Sequence, residues 1–221
     1  ADVSDRRVSI ERMEENLGIP LGTNRLANRA SGSFIAVLDQ DDEMQPEKLA
    51  RQVSWLLKCP ASGGVSCRTV LIDEAGSERG GDFTLPDAQE YLAFSAYSQA
   101  ANFGSHLFRR EVVERWPRRE EFPFSSDFDF VARVAEDRKV DVIPEVLFRY
   151  RVHAGQATRR RRREQLVDEV LIRILTAKRR ALRLEPWDEL PSWRSRFMSG
   201  DPGEIFLEAA RLCVELDLPL L

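Results

Sequence analysis

Phe34-Ile35-Ala36-Val37-Leu38-Asp39-Gln40-Asp41-Asp42 is an apolar run that ends abruptly in three acids within four positions. The apolar part reads as a buried strand, and the acids as the end of it. If the extended backbone persists, side chains alternate with a period of two, so Asp39 and Asp41 point to one side and Asp42 to the other. Two carboxylates sharing one site repel each other and suit a hard divalent cation such as Mg²⁺ or Mn²⁺. Mg²⁺ is usually held by one or two carboxylates together with substrate phosphates, so a metal-bound phosphorylated substrate is the first chemistry to expect here. The alternative is a solvated acidic turn leading into the next helix, because Gln45-Pro46-Glu47 has the proline of a helix first turn.

Outward from this stretch the chain has an α/β rhythm. Arg7 to Arg12 reads as a short strand, Thr23 to Ala30 as a helix closed by Gly32, and Phe34 to Leu38 as a strand. Pro46 to Leu57 carries Leu49, Val53, Leu56 and Leu57 as the stripe of a helix on a sheet, and Val65 to Ile72 follows as a strand. Asp73-Glu74-Ala75-Gly76 is turn chemistry, Pro86-Asp87-Ala88-Gln89 a helix start, and Ala100 to Phe108 an extended segment. Ser125 or Ser126 can cap a helix running to about Asp137, followed by short strands at Val140 to Ile143 and Val146 to Tyr150 with Pro144 between them. From Glu164 onward two helical stripes appear, one through Leu166, Val167, Val170, Leu171 and Ile174, the other through Ile205, Phe206, Ala209, Leu212 and Cys213.

Composition sets the limits. The 221 residues are 43% hydrophobic and 32% charged, enough for one large domain or one with a small extension. No stretch approaches the roughly 20 apolar residues of a membrane span, and the first residues lack a signal-peptide pattern, so the expected location is cytoplasmic or at the inner face of the membrane. Cys59, Cys67 and Cys213 have no metal-ligand spacing and fit reduced thiols. A net charge of -4 offers nucleic acid no general attraction, although Arg159 through Arg163 concentrate positive charge locally.

Two more clusters carry chemistry. In Ser125-Ser126-Asp127-Phe128-Asp129-Phe130 two acids sit in a helix first turn, where the helix N-terminus favours the ionised form, so Asp127 is placed to act as a general base or simply to favour the helix dipole. Tyr150-Arg151-Val152-His153 ends a strand in one of the two histidines of the chain, and an imidazole there can complete a metal site begun by carboxylates elsewhere. The other histidine lies in Gly104-Ser105-His106-Leu107-Phe108.

Taken in order, Glu15-Asn16-Leu17-Gly18-Ile19, Thr23-Asn24-Arg25, Ala30-Ser31-Gly32-Ser33-Phe34, Leu38-Asp39-Gln40-Asp41-Asp42, Ser126-Asp127-Phe128-Asp129 and Tyr150-Arg151-Val152-His153 resemble glycosyltransferase family 2. The resemblance implies a GT-A-like (Rossmann-like) mixed α/β sheet flanked by helices over 1–158, with a helical C-terminal extension over 159–221. It implies metal-dependent, inverting transfer from a UDP-, GDP- or dTDP-sugar to a hydroxyl of a glycan, lipid-linked glycan or protein. Asp39 and Asp41 would be the family's Asp-x-Asp motif, contacting the donor with Asn24 and Arg25. Asp39, Asp41 and His153 would hold Mn²⁺ or Mg²⁺, and Asp127 would be the catalytic base. Asp129, Gly104 and His106 fall on the acceptor side, and Arg159 and Arg160 could close over the diphosphate as a lid.

The family's usual first strands and base-binding aspartate have no counterpart before Arg7, which implies a sheet edge open to a protein partner or a second copy. An inactive, protein-binding relative is therefore the competing expectation. Ser126 stands where relatives often carry Glu, and Arg160 where processive relatives carry Trp.

Overall fold

The computed structural model describes residues 5–82 and 101–216, together with 89, 91, 95 and 218. At its centre lies β3 (Ser62–Ile72), a strand whose side chains are buried along most of its length, as expected when both sheet faces are covered. It runs parallel to β6 (Lys139–Arg151) from Ser62↔Lys139 to Ile72↔Arg151. A parallel pair needs a long crossover, and here the crossover includes β4 (Glu78–Asp82), antiparallel to the end of β3, and β5 (Leu107–Arg109), antiparallel to its start. Two-residue strands finish the sheet: β1 (Phe34–Ile35) beside β5, and β2 (Glu43–Met44) beside β6. The order is β1-β5-β3-β6-β2.

Helix α1 (Gly18–Arg29) precedes β1, and α2 (Lys48–Lys58) covers one face of the sheet through Leu56 against Val65, Cys67, Leu147 and Phe148. On the other face α3 (Arg110–Arg115) and α4 (Ser126–Asp137) bury Val112, Phe130, Val131 and Val134 against Phe108 and Val140. Behind α4, helices α5 (Arg162–Leu182), α6 (Leu190–Met198) and α7 (Pro202–Glu215) enclose a third core in which Phe122 and Phe128 meet Leu171, Ile174, Trp193, Phe197 and Ile205.

Several elements depart from the sequence expectation. Arg7 to Arg12 is not a strand: Val8 and Ile10 are exposed, and no partner strand pairs with them among the described residues. The strand after α1 stops at Ile35, and residues 36–42 run on as irregular chain and a turn. Pro144 does not divide two strands, because β6 continues through it with a register shift between Cys67 and Arg68 of β3. A bulge is where a residue without an N–H can sit inside a sheet. Ala100 to Phe108 contains a 3₁₀ turn, Phe103–Ser105, before β5. The helix start at Pro86 falls mostly outside the described residues.

Helix α2 holds the largest surprise in packing. Leu49 and Leu57 are 42% and 69% exposed, while Lys48, Gln52 and Leu56, four residues apart, form the buried face. Gln52 donates to the carbonyls of Ser105 (2.7 Å) and Val65 (3.2 Å), and Lys48 Nζ donates to that of His106 at 3.4 Å. Burial pushes the Lys48 amine down to about 8. The unfolded chain holds that proton up to about 10.4, so between roughly pH 8 and 10 the unfolded state binds more protons and stability rises with pH. Below pH 8 the full penalty of a buried ammonium remains. Lys48→Met is therefore expected to stabilise the fold at pH 7 by about 2 kcal/mol and to flatten the rise above pH 8. Urea unfolding at pH 7 and pH 9.5 checks this; a less stable variant at pH 7 would mean that the bond to His106 outweighs desolvation.

Candidate active site

The three acids do not alternate along a strand. Because β1 ends early, residues 39–42 close a turn in which Asp42 N–H donates to the Asp39 carbonyl at 3.3 Å. The turn is held by β6. Asp42 Oδ1 accepts from Arg151 N–H at 2.8 Å, Arg151 Nε donates to the Asp41 carbonyl at 2.7 Å, and β2 pairs Glu43 with Arg149 directly after the turn. Arg151, which sequence reasoning passed over as part of a motif, is thus the residue that fixes the acidic turn. Asp42 Oδ2 is buried without a hydrogen-bond partner among the described residues, and burial, with Asp41 and Asp39 nearby, pushes its carboxyl up to about 7.

Beyond Arg151 the chain leaves the sheet and brings His153 back onto the turn, with Nε2 2.9 Å from Asp41 Oδ2. The ring is set by its own loop: Gly155 N–H donates to Nδ1 at 3.2 Å and His153 N–H to Gln156 Oε1 at 3.3 Å. With Nδ1 accepting, the ring proton of neutral His153 is assigned to Nε2 and points at Asp41. Ligation of a metal through Nε2 requires that proton to move to Nδ1 and the Gly155 contact to open. Among the described residues no three His, Cys, Asp or Glu side chains form a ready metal cluster. A two-ligand arrangement of Asp41 and His153, with Asp39 beside it, fits a cation whose remaining positions belong to phosphate oxygens and water.

Asp127 is half-buried in the first turn of α4, where its Oδ1 accepts from Phe128 N–H at 2.9 Å. Asp39 is exposed, yet desolvation by the surrounding protein raises its carboxyl above the ordinary range against the pull of Arg118; Asp41 and Asp127 add to the rise. Asp39, Asp41 and Asp127 therefore share one electrostatic environment. Arg118, absent from the sequence reading, is the cation in it. Only 8% exposed, its guanidinium lies 4.1 Å over the Phe103 ring, and its Coulombic partners are Asp127 and Asp39. Asn24 clamps its backbone from α1, accepting from Arg118 N–H and donating to Arg118 C=O, both at 2.8 Å. No pattern of spacing marks this residue, which sits in the charged loop Pro117-Arg118-Arg119-Glu120-Glu121.

Other candidate residues lie elsewhere. Arg25 is exposed and pairs with Glu11. Asp129 is buried between Arg133 (2.7 Å) and Arg119 (3.4 Å). His106 is buried in contact with the Tyr91 hydroxyl, and a Cβ on Gly104 would stand 2.3 Å from Phe148 Cζ, so both belong to core packing. In the arginine run, Arg161 pairs with Glu164, Arg162 with Glu169, and Arg163 donates to the carbonyls of Met198 and Gly200. Arg159 and Arg160, exposed in the helical turn Ala157–Arg160 just after His153, have no ion pair among the described residues.

The family model for glycosyl transferase family 2 matches residues 1–116, more than half of the chain. The chain belongs to glycosyltransferase family 2. Relatives in that family include an uncharacterized glycosyltransferase of Methanocaldococcus jannaschii, 28% identical over 152 residues, 67% of this chain and 52% of the relative. The amylovoran biosynthesis glycosyltransferase AmsE of Erwinia amylovora is 23% identical over 159 residues, 72% of this chain and 59% of the relative. The chain spans between half and three-fifths of the length of these two relatives. Among solved structures, Staphylococcus aureus TarS residues 1–349 in complex with UDP-GlcNAc superimposes with a TM-score of 0.55 at 15% identity, covering 84% of this chain and 62% of that 1–349 chain. The fold of this family 2 chain is thus of the GT-A type, a mixed sheet with helices on both faces. No helix of the described residues is long and apolar enough to cross a membrane.

Proposed function

We propose that this family 2 chain carries the transfer site of an inverting, metal-dependent glycosyltransferase that moves a sugar from a nucleotide-sugar donor to an acceptor hydroxyl. The observation that carries the reading is the 2.9 Å approach of His153 to Asp41, which joins the acidic turn to the end of β6 within the electrostatic reach of Asp127. Asp39, Asp41 and His153 would hold Mg²⁺ or Mn²⁺. When bound, the cation supplies Lewis-acid neutralisation of charge on a departing diphosphate.

The chain's own residues supply the rest. Asp127 accepts the acceptor's hydroxyl proton as that oxygen bonds to the anomeric carbon; the carbon–oxygen bond to the diphosphate breaks on the opposite face, and its electron pair leaves with the nucleoside diphosphate. Arg159 and Arg160, in the helical turn just after His153 and free of ion pairs among the described residues, would close on the diphosphate. Amylovoran biosynthesis in the name of one relative and UDP-GlcNAc in the TarS complex support a nucleotide-sugar donor and a polysaccharide product.

Calorimetric titration with UDP, GDP and dTDP, each with and without Mn²⁺, tests the reading. One nucleotide is expected to bind in a metal-dependent way, and Asp41→Ala to weaken that binding by at least about 10-fold, since loss of even an outer-shell partner costs roughly 10–100-fold in metal affinity. If none of the three binds, the protein-binding reading takes the place of this one.

A further inference from the structure

Past the reach of β2, the end of β6 is held by side chains. Odd-numbered residues of β6 turn their backbone polar groups to the β2 edge: the Leu147 carbonyl accepts from Gln45 N–H at 2.9 Å, and Glu43↔Arg149 is the last pair with β2 in the direction of His153. Further along that edge Arg151 N–H finds Asp42 Oδ1 at 2.8 Å, Arg151 C=O accepts from Gln156 Nε2 at 2.5 Å, and His153 N–H donates to Gln156 Oε1 at 3.3 Å. The Gln156 amide, offering a donor to one residue and an acceptor to the next on the same edge, stands where the peptide group of a neighbouring strand would stand.

Among the described residues no other strand carries the extended chain that far. On the opposite edge the ladder to β3 closes with Val152 N–H on the Ile72 carbonyl at 2.8 Å. Ala154 and Gly155 are exposed and give the loop no apolar anchor, whereas Gln156 is only 8% exposed. Burying an amide costs free energy unless its polar ends are bonded, and here both ends are. The base of the side chain is fixed as well: Gln156 N–H reaches the His153 carbonyl at 3.5 Å, and the Gln156 carbonyl accepts from Arg159 and Arg160 N–H, both at 3.1 Å. One residue thus grips His153 by its N–H and by its carbonyl, and from that backbone the ring comes within 2.9 Å of Asp41 Oδ2.

We propose that Gln156 is a positioning residue of the transfer site: its amide prolongs the β2 edge of β6 and so fixes the backbone from which His153 meets Asp41 and a bound cation. The inference rests on the metal-dependent reading of this site and adds to it a residue that acts only through His153.

The test compares the unaltered chain with Gln156→Met, which keeps the length of the side chain and loses both bonds, with His153→Ala, in which Asp39 and Asp41 remain to bind Mn²⁺, and with the double variant. Calorimetric titration with UDP, GDP and dTDP, each with and without Mn²⁺, gives the factor by which the metal tightens nucleotide binding. Gln156→Met is expected to lower that factor about 10-fold, the scale of losing a residue that orients a metal ligand, and to leave metal-free binding within about twofold. In the His153→Ala background the same substitution should change the factor by less than about twofold, because the imidazole it would position is gone. Without any ligand, the His153 amide should exchange its hydrogen about fivefold faster in Gln156→Met, roughly the effect of one lost bond, while the Val152 amide keeps its protection.

An undiminished metal effect in Gln156→Met, or an equal loss with and without His153, overturns the inference and leaves the transferase reading standing. Unchanged exchange at the His153 amide overturns it too. If the unaltered chain shows no Mn²⁺-dependent nucleotide binding, the metal-dependent reading and the inference fall together. Thermal unfolding shows that each variant is folded, and Gln156→Ala, with no bulk at the site, replaces the methionine variant if packing is disturbed.

Discussion

With Asp127 as the proposed base, Asp127→Asn is expected to lower kcat by about 10²–10⁴-fold, the range of a lost general base, while nucleotide affinity and the unfolding midpoint stay near those of the unaltered chain. The exchange is nearly isosteric and keeps an oxygen to accept from Phe128 N–H, so the first turn of α4 retains its local bond. What it removes is a proton acceptor. The side chain is half-buried beside the acidic turn and outside the packed cores, which is why the cost falls on turnover and not on folding. Release of nucleoside diphosphate from the donor, followed with and without acceptor, reads the effect. A variant within tenfold of the unaltered rate would place the proton elsewhere.

Asp168→Ala is expected to have the largest effect on stability, about 3 kcal/mol of lost unfolding free energy. Asp168 lies on α5, fully buried, accepting from Phe124 N–H at 3.0 Å and pairing with Arg194 of α6 at 2.5 Å. Truncation leaves the part-buried Phe124 N–H without its acceptor and Arg194 with the Glu121 carbonyl alone, and an unmade bond in such a place costs more than a made one contributes. The loss also loosens residues 122–125, which lead into the turn that carries Asp127. Turnover should therefore fall with stability. Asp168→Asn, which keeps one acceptor oxygen, should lose roughly half as much. Urea unfolding of both variants checks the order, and a cost below about 1 kcal/mol for alanine would show that the loop is held by its apolar contacts alone.

Much of this was legible before the fold was known, and the misses have physical causes. Helix α4, helices α5 and α7, and the central β3 were readable because their apolar periods are long enough to outweigh local accident. The acidic run after Phe34 reads as an alternating strand end in the sequence, whereas Arg151 folds Asp39 to Asp42 into a turn. Pro144 looked like a strand break because sequence does not reveal that a bulge awaits it. Lys48 and Gln52 were hidden on α2 because the carbonyls that satisfy them come from β3 and the segment before β5. Arg118 was invisible for a similar reason. Its importance lies in what surrounds it, and Asn24, Phe103, Asp39 and Asp127 are spread over four separate segments.

The bulge at Pro144 also turns β6 into a measuring stick. After a second register shift between Arg68 and Thr69 the strand is locked against β3 through Phe148, Arg149, Tyr150 and Arg151, and Val152 N–H still reaches the Ile72 carbonyl at 2.8 Å. Arg151 therefore arrives at the acidic turn by residue count, each strand step being worth about 3.3 Å and a change of side, and His153 follows two residues later. A one-residue insertion or deletion between Phe148 and Arg151 would turn Arg151, which fixes the acidic turn, to the other side of the sheet and displace His153 with it. Length in this segment is under the same constraint as the identity of the histidine itself.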